Sequence, residues 1–432
     1  MSIYTWIGIG IYAFFTLLPL KDAKNIGKWE ITSIIINMIV LLAIILAHLF
    51  YSFNIWIGIF LLIILGIFLD KKTYTKKRLI IYASIFVVIG GVLYWLLNDI
   101  LGSPESNTVL EHLIEYPDTS SLYFSKDGNV LISHNVEEAR PLASVVKIVV
   151  AMEYAFQVEE GKVDPTTSIG LEDLDVYYIP KTDGGAHEAW LDSLETEKPT
   201  LQEVAKGMIK FSSNANTEYL MELLGLDAIN NRLEVLDIEN HEEIYPIVGA
   251  LAISSYLKEK ENLSKKPLIN RLNNMSMEEY RSLAIEVSQL LKSKQFAVTD
   301  VSDISMDIQR IWSDRLTGAS AEAYGEIVSR ISNNEFSSNV TSTLRDILEW
   351  PLAYESNQEK FDHIGAKGGS TAFVLNQVIY VETKQGERME MVIMLDDLSL
   401  LQSLSLQKSI DHFLFKLIDD QDYIELVESE LP

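Results

Sequence analysis

The sequence contains no cysteine, and this absence excludes several classes of site. A chain without cysteine has no disulfide framework, no thiol nucleophile and no thiolate metal site. Any folded domain in it has to be stabilised by its apolar core alone. The roughly 330 residues that follow position 98 are enough to bury such a core.

Basic residues are few relative to acidic ones. The chain has 35 Lys and Arg against 61 Asp and Glu, and residues 101–432 carry a net charge near −30. A surface this acidic argues against nucleic acid as a partner. There is no Gly-rich phosphate loop, and neither His187-Glu188 nor His241-Glu242 has the second histidine of a zinc-protease helix. The sequence therefore predicts no metal site and no cofactor.

Long uncharged apolar runs are present, and they fill the first hundred residues. Four of them approach the ~20 residues that a helix needs to cross a ~30 Å hydrocarbon layer. They are Tyr4–Leu20, Ile31–Phe50, Phe53–Leu69 and Leu79–Leu97. A cleaved signal peptide is the alternative for the first run, but Met1–Trp6 has no basic residue, so we expect a retained helix.

The loops between these runs predict the orientation of the chain in a membrane. Lysines and one arginine concentrate at 21–28 and 71–78, whereas "AHLFYS" between the second and third runs carries no basic residue. By the positive-inside rule both basic loops are cytoplasmic. We therefore expect residues 1–98 to form a multi-pass region in the plasma membrane, 99–107 a linker, and 108–432 an extracytoplasmic domain.

The residues after the linker predict a β-hairpin near each end of this domain. "SLYFSKDGNVLISHN" has two short β-prone runs around Lys126-Asp127-Gly128, and two longer ones flank Lys384-Gln385-Gly386. The spacing of apolar residues between Leu201 and Trp350 is helical. We expect an α/β (α+β) domain in which one antiparallel sheet, built from both ends of the domain, is flanked by helices and joined by a mostly helical subdomain.

The stretch "RPLASVVKIVVAMEYAF", which starts at Arg140, places a cation inside an apolar run. The run predicts a buried helix from Ser144 to about Glu160. Ser144 and Lys147 are three residues apart and so lie on one face of that helix. The pair is either a nucleophile with its activator or an ordinary serine beside a surface lysine.

Two further motifs bear on this choice. A Ser-x-x-Lys pair alone is weak, because Ser255–Lys258 and Ser405–Lys408 also have it. However, Ser144-x-x-Lys147 opens a helix after a hairpin, Ser212-x-Asn214 follows on a helical stretch, and Lys367-Gly368-Gly369 begins a predicted strand. The order and context of these three motifs favour a catalytic constellation.

With these motifs the chain resembles the serine β-lactamase and penicillin-binding protein superfamily, most closely the class A type of catalytic domain. The resemblance covers about Thr108 to Ile418. Ser144-Val145-Val146-Lys147 matches the family's Ser-x-x-Lys, Ser212-Ser213-Asn214 its Ser-Asp-Asn, and Lys367-Gly368-Gly369 its Lys-Thr-Gly. This resemblance implies a β-lactamase-like fold and a serine hydrolase.

The resemblance also implies a role for each motif residue. Ser144 is expected to be the nucleophile and Lys147, whose pKa burial lowers, its activator, directly or through a water. Ser212 is expected to pass a proton to the leaving nitrogen, and Asn214 to hold the amide of the substrate and contact Lys147. Lys367 is expected to attract a substrate carboxylate.

The end of the third motif is expected to bind the substrate. The backbone N–H groups of Ser144 and Ser370 would form the oxyanion hole, while Gly369 lets the substrate backbone approach the strand. Gly368 stands where the family usually has a hydroxyl residue, so Ser370 or Thr371 is expected to take over its contact with the carboxylate.

The match departs from the family at two further places. Ser213 replaces the usual Asp, and "LEVLDIENHEEIYPIVGALAI" lacks the Glu-Leu-Asn that activates the deacylating water. Glu239, Glu242 and Glu243 are candidates for that base, although surface charge is the expected role of each. In the loop 177–194, His187 and Trp190 are either substrate contacts or parts of a structural loop.

These departures leave more than one function open. The first expectation is a membrane-anchored serine hydrolase that acts outside the cell on a β-lactam or a related wall-derived amide through a covalent acyl-enzyme. The alternatives are a D-alanyl-D-alanine peptidase and a penicillin-binding sensor without efficient turnover. The expected partners are a small-molecule or peptidoglycan-derived substrate and the lipid bilayer, and not nucleic acid.

Overall fold

The computed structural model describes residue 35 and residues 105–301 and 304–431. Apart from residue 35, the four predicted membrane segments lie outside the described residues. Within the described part of the chain, no helix combines the length and the apolar character needed to cross a bilayer. The first helix there begins at Ser106, two residues inside the predicted linker.

The elements are numbered along residues 105–431. The strands are β1 Ser120–Lys126, β2 Asn129–His134, β3 Arg140–Pro141, β4 Gly318–Ala319, β5 Phe361–Ser370, β6 Leu375–Thr383 and β7 Arg388–Leu395. The α-helices are α1 Ser106–Glu115, α2 Lys147–Glu159, α3 Leu171–Asp175, α4 Ala186–Asp192, α5 Leu201–Lys210, α6 Asn214–Leu224, α7 Leu226–Val235, α8 Ile247–Lys260, α9 Lys265–Asn273, α10 Met277–Lys292, α11 Met306–Asp314, α12 Ala321–Ser332, α13 Ser338–Leu348, α14 Glu355–Lys360, α15 Leu400–Asp419 and α16 Gln421–Glu430. Short 3₁₀ turns span Pro117–Thr119, Ala143–Val146 and Trp350–Ala353.

The main sheet has five antiparallel strands in the order β2-β1-β7-β6-β5. Strand β1 pairs with β7 from Ser120 opposite Leu395 to Lys126 opposite Met389. The two ends of the domain therefore build one sheet, which confirms the predicted architecture. Strand β5 is left at an edge, where one side of its backbone has no neighbouring strand in the described part.

Both predicted hairpins are present. Asp127 and Gly128 join β1 to β2 and both have positive φ, as a two-residue hairpin loop requires. Gly386, at φ +85°, lies in the turn between β6 and β7. These turns form where the sequence predicts them because their backbone geometry is set by the residues of the turn itself.

The expected position of the third motif within its strand is wrong. Lys367, Gly368 and Gly369 end β5 instead of beginning a strand, because the apolar residues of "FDHIGA" form the strand before them. A turn after Ser370 reverses the chain, and β6 starts only at Leu375. The motif therefore lies where the edge strand meets the turn.

The sheet separates two apolar clusters because alternate residues of a strand face opposite sides. Val378 and Tyr380 of β6 pack with helices α2 and α12, whereas Ile379 and Val381 pack with α15 and α16. Helices α8 to α10 bury a third cluster of their own. The predicted helical subdomain is thus confirmed, and α2 is the buried helix at its centre.

Candidate active site

Ser144 lies on the 3₁₀ turn Ala143–Val146, directly before α2. The turn begins at Ala143 with φ +47°, a conformation that non-glycine residues rarely adopt. Ser144 is partly exposed, whereas its neighbours Ala143 and Val145 are buried. The chain therefore presents this one hydroxyl from an otherwise apolar segment.

Lys147 is the first residue of α2 and is completely buried. Its Nζ donates to Ser212 O at 2.7 Å, to Asn214 Oδ1 at 2.8 Å and to Ser212 Oγ at 3.2 Å. Burial lowers the pKa of Lys147 well below its usual value, and the positive charge of Lys367 lowers it further. An amine whose pKa is lowered in this way gives up its proton more readily than a free lysine, as a general base must.

Ser212 sits between α5 and α6 with φ +69°, an unusual conformation for serine. The kink turns both its carbonyl oxygen and its hydroxyl towards Lys147. Its Oγ also accepts a hydrogen bond from Lys367 Nζ at 3.0 Å. Since two amines donate to this hydroxyl, its own proton is available to a third group.

Lys367 brings the edge strand into the site. Its side chain is 3% exposed, and its Nζ donates to Gly368 O at 2.6 Å as well as to Ser212. Burial lowers the pKa of Lys367 to about 7. Lys367 is therefore poised between its charged and neutral forms near neutral pH.

Gly369 allows the edge strand to touch the turn that carries Ser144. A Cβ atom at this position would lie 2.6 Å from Leu142 O and 2.9 Å from Ser144 N, closer than any side chain tolerates. The next residue, Ser370, is exposed at the end of β5. The three motifs thus meet at one place, with the Ser144 turn, the α5–α6 junction and β5 around it.

Thr371 has a different position from the one expected of a substrate contact. Its hydroxyl lies 2.6 Å from Ser313 Oγ and accepts hydrogen bonds from the backbone of Phe373 and Val374. The Thr371 hydroxyl therefore stabilises the β5–β6 turn. It is not available to bind the substrate carboxylate in place of the hydroxyl that is missing at Gly368. Gln377, opposite Gly368 on β6, has its Oε1 2.7 Å from where a Cβ of residue 368 would be.

Asn376 supports the site and was missed in the sequence. It is 1% exposed, and its Nδ2 donates to Pro141 O at 2.8 Å and Leu142 O at 3.0 Å. These bonds fasten the segment before Ser144 to the sheet. The two adjacent amides Asn376 and Gln377 within the apolar run "VLNQVIYV" were the available signal, since a buried amide needs partners.

His187 and Trp190 are buried, at 0% and 2% exposed, so neither side chain is accessible for a substrate contact. His187 Nδ1 instead lies 2.8 Å from the hydroxyl of Ser213, the middle residue of the second motif. The structural-loop alternative is therefore the correct one for both side chains. The loop 177–194 therefore supports the second motif through the buried contact between His187 and Ser213.

The three glutamates considered as the deacylation base are exposed. Glu242 pairs with Arg281 at 3.0 Å, and Glu243 lies 3.8 Å from the same guanidinium. Their surface-charge interpretation is confirmed for Glu242 and Glu243 by these ion pairs. None of the three hydrogen-bonds to Lys147 or Ser212 in the described part of the chain.

Comparison with known proteins gives a family and several similar structures. The chain is similar to a β-lactamase from Chitinophaga pinensis (13% identity, 72% of this chain and 98% of the other covered, TM-score 0.45) and to a protein described as PBP-A (15%, 72% and 96%, 0.45). It is also similar to a β-lactamase from Sphaerobacter thermophilus (17%, 71% and 95%, 0.44). No curated protein matches it significantly.

The β-lactamase enzyme family is the family whose sequence model matches this chain, over residues 106–411. The match includes Ser144, Lys147, Ser212, Asn214 and Lys367. It also covers the whole sheet and well over half of the chain. This protein therefore belongs to the β-lactamase enzyme family.

Proposed function

We propose that the protein is a serine hydrolase that forms a covalent acyl-enzyme on Ser144, with a β-lactam or a related wall-derived amide as substrate. The observation that carries this proposal is that the amines of Lys147 and Lys367 both donate hydrogen bonds to the hydroxyl of Ser212. Ser212 Oγ lies 3.2 Å from Lys147 Nζ and 3.0 Å from Lys367 Nζ, and the strand that carries Lys367 packs at Gly369 against the turn that carries Ser144.

In the acylation step Lys147 takes the proton of the Ser144 hydroxyl, directly or through a water. The freed oxygen attacks the carbonyl carbon, and the carbon–nitrogen bond of the substrate breaks. Ser212 gives its proton to the leaving nitrogen and receives one from Lys147, so Lys147 and Ser212 return to their starting protonation states and the product gains the one proton that Ser144 loses. The contacts of Lys147 with Ser212 supply this route.

The oxyanion of this step is stabilised by two backbone N–H groups, those of Ser144 and Ser370. The close approach of Gly369, the residue before Ser370, to Ser144 N supports this arrangement. Such a donor typically contributes ~2.7–4 kcal/mol to transition-state stabilisation. Asn214 holds the substrate amide, and the edge of β5 receives the substrate backbone.

Deacylation is the step that separates the candidate functions. Glu242 and Glu243 are exposed and pair with Arg281, and neither hydrogen-bonds to Lys147 or Ser212 in the described part of the chain. This observation favours slow release of the acyl group. A D-alanyl-D-alanine peptidase or a penicillin-binding sensor is therefore the second candidate.

We also propose that residues 1–98 anchor the protein in the plasma membrane and place the β-lactamase-like domain outside. The four apolar runs and their basic loops support this arrangement. The absence of cysteine makes it testable, since single cysteines can be introduced by Glu111→Cys and Lys72→Cys. A membrane-impermeant maleimide added to intact cells should label the first variant and not the second; the reverse pattern would contradict the proposal.

The function is tested on the full-length protein in detergent. The protein is given nitrocefin and, separately, a D-alanyl-D-alanine peptide, and the mass of the acyl-enzyme is followed over time. A long-lived adduct with nitrocefin indicates a sensor or binding protein, rapid decay a β-lactamase, and cleavage of the peptide a peptidase. No adduct and no cleavage with either compound would refute the serine hydrolase.

A further inference from the structure

The two lysines of the site are held by neutral partners. Lys147 Nζ donates to the carbonyl and hydroxyl of Ser212 and to the amide of Asn214. Lys367 Nζ donates to the same hydroxyl and to Gly368 O. Two like charges in a buried site repel each other and are poorly solvated, so a nearby carboxylate has a large effect on whether they hold their protons.

Asp183 is a carboxylate built into this region from the loop between α3 and α4. Gly184 and Gly185 follow it, both with positive φ, and turn the chain into α4. Asp183 Oδ2 accepts a hydrogen bond from His187 N at 3.1 Å. Asp183 Oδ1 is buried and has no hydrogen-bond partner in the described part of the chain. A buried carboxylate oxygen without a protein donor is unusual and calls for an explanation.

His187 connects Asp183 to the second motif. The hydroxyl of Ser213 donates to Asn216 Oδ1 at 3.0 Å, so its lone pairs face His187 Nδ1 at 2.8 Å, which therefore carries the ring proton. Ser213 lies between Ser212 and Asn214, the residues that hold Lys147. The position of Asp183 is thus fixed relative to the two lysines by His187.

We propose that Asp183 is a positioning residue that supplies the negative charge for the two-lysine site, a charge that the second motif lacks because its middle residue is the neutral Ser213. The carboxylate favours the protonated form of Lys147 and opposes the effects of burial and of Lys367. It keeps the amine able to return a proton to Ser212. The inference rests on the proposed role of Lys147 as the activator of Ser144.

The other titratable groups around Asp183 are Tyr178 and Asp175 from the segment before it, and His187 and Glu188 from α4. Burial lowers the pKa of His187 and raises that of Tyr178, so both stay neutral in the neutral range. A hydrogen bond from Tyr178 lowers the pKa of Glu188, which stays charged. A change in proton binding near pH 7 therefore reports on the lysines.

The test replaces Asp183 by asparagine in the full-length protein, which removes the charge and keeps the shape. The rate of acylation by a fluorescent penicillin is measured against pH, and the titration of Lys147 is followed directly by NMR of lysines labelled with ¹³C at Cε. The Lys147 signal is identified by its loss in Lys147→Met. Asp192→Asn on the exposed end of α4 is the matched control.

Without the carboxylate Lys147 loses its proton more easily, so both the rising limb of the acylation profile and the NMR titration should move to lower pH by about one unit, a tenfold change at fixed pH. Asp192→Asn should change neither the pH profile of acylation nor the NMR titration of Lys147. Adding Ser213→Asp to Asp183→Asn should move them back, and Ser213→Asp alone should move them to higher pH.

An unmoved Lys147 titration in folded Asp183→Asn would overturn the proposal, as would an equal shift in Asp192→Asn. If Asp183→Asn does not fold, Asp183→Ser, which also removes the charge, decides, and an unchanged Lys147 titration there has the same consequence. The NMR readout needs no substrate. A wild-type protein that is never acylated would refute the hydrolase without obscuring the effect of Asp183 on Lys147.

Discussion

Lys147 of α2 and Lys367 of β5 come from positions 220 residues apart, and their side-chain nitrogens both donate to the hydroxyl of Ser212. Both side chains are buried, and burial lowers the pKa of each. A buried like-charged pair is unfavourable for folding, because each charge leaves water and repels the other. Such a pair is expected where chemistry requires amines that exchange protons near neutral pH.

Replacing Lys147 by methionine should abolish efficient acylation while keeping α2 folded. Methionine fills similar apolar space but cannot accept a proton, and loss of a general base typically slows a reaction 10²–10⁴-fold. The measurement is the rate of adduct formation with nitrocefin, followed by intact mass. Lys258→Met, in the other Ser-x-x-Lys pair on α8, is the control. Equal rates in the Lys147 variant and the control would remove Lys147 from the mechanism.

Replacing Lys367 by methionine should stabilise the domain more at low pH than at high pH. The folded-state pKa is about 7 and the unfolded value is near 10.5, so the unfolded chain binds more protons between these values and wild-type stability rises with pH across that window. Below pH 7 the free energy of unfolding of the wild type is lowered by the full cost of burying the charged Lys367 side chain, at most about 5 kcal/mol.

The melting temperatures of wild type and Lys367→Met are compared at pH 6 and pH 10 to measure this effect. The lost hydrogen bonds of Lys367 lower the stability of the variant equally at both pH values. The difference, variant minus wild type, should therefore be larger at pH 6. A difference that is constant, or that grows with pH, would show that Lys367 keeps its charge when buried.

Adding a methyl group at Gly369 should slow acylation strongly. The new Cβ would lie 2.6 Å from Leu142 O, a backbone atom, so the strand and the Ser144 turn must move apart. A displacement of this kind can lower the rate about 10²-fold. Gly368→Ala is the matched variant, because the one close contact of its Cβ is with the flexible end of Gln377, and the nearest backbone atom, Asn376 O, is 3.8 Å away. The acylation rate of Gly368→Ala should fall much less than that of Gly369→Ala. Similar decreases in both variants would contradict a special role of the Gly369 contact.

Asn376→Ala should destabilise the protein and loosen the Ser144 turn. The change removes the amide donor of Pro141 O and Leu142 O; Leu142 O keeps Val145 N as a second donor, whereas a buried carbonyl left unpaired costs about 1–3 kcal/mol. Urea denaturation measures the stability, and acylation by fluorescent penicillin measures the site. Gln377→Ala on the same strand is partly exposed and should be close to neutral in stability. If both variants unfold at the same urea concentration, Asn376 does not fasten the turn.

The sequence predicts the features that are decided by a few neighbouring residues. The two hairpins follow from Asp127-Gly128 and Gly386, and helix α2 follows from its apolar run and the end at Gly161. The three motifs identify Lys147, Ser212 and Lys367, because each motif is short and their order is informative. That the three residues come together at the hydroxyl of Ser212 could be predicted only from the resemblance to a known family.

What the sequence does not predict depends on contacts between distant segments. Asn376 lies 235 residues from the carbonyl of Pro141 that it binds, and Thr371 is occupied by Ser313 of α11. The burial of His187 follows from its packing against Tyr178, Trp190 and Ser213. Such partners have no local pattern, since they are chosen by the packing of helices and strands that are far apart in sequence.

The central claim is that Ser144 is acylated in a site with two lysines whose pKa is lowered. Covalent labelling tests this claim most directly. Wild type, Ser144→Ala and Ser255→Ala, the last in the unrelated Ser-x-x-Lys pair, are treated with a fluorescent penicillin and a fluorophosphonate and examined by intact mass and peptide mapping. We expect one adduct on Ser144 in wild type and Ser255→Ala, and none in folded Ser144→Ala. Undiminished labelling of Ser144→Ala, or an adduct mapped to another serine, would contradict the account.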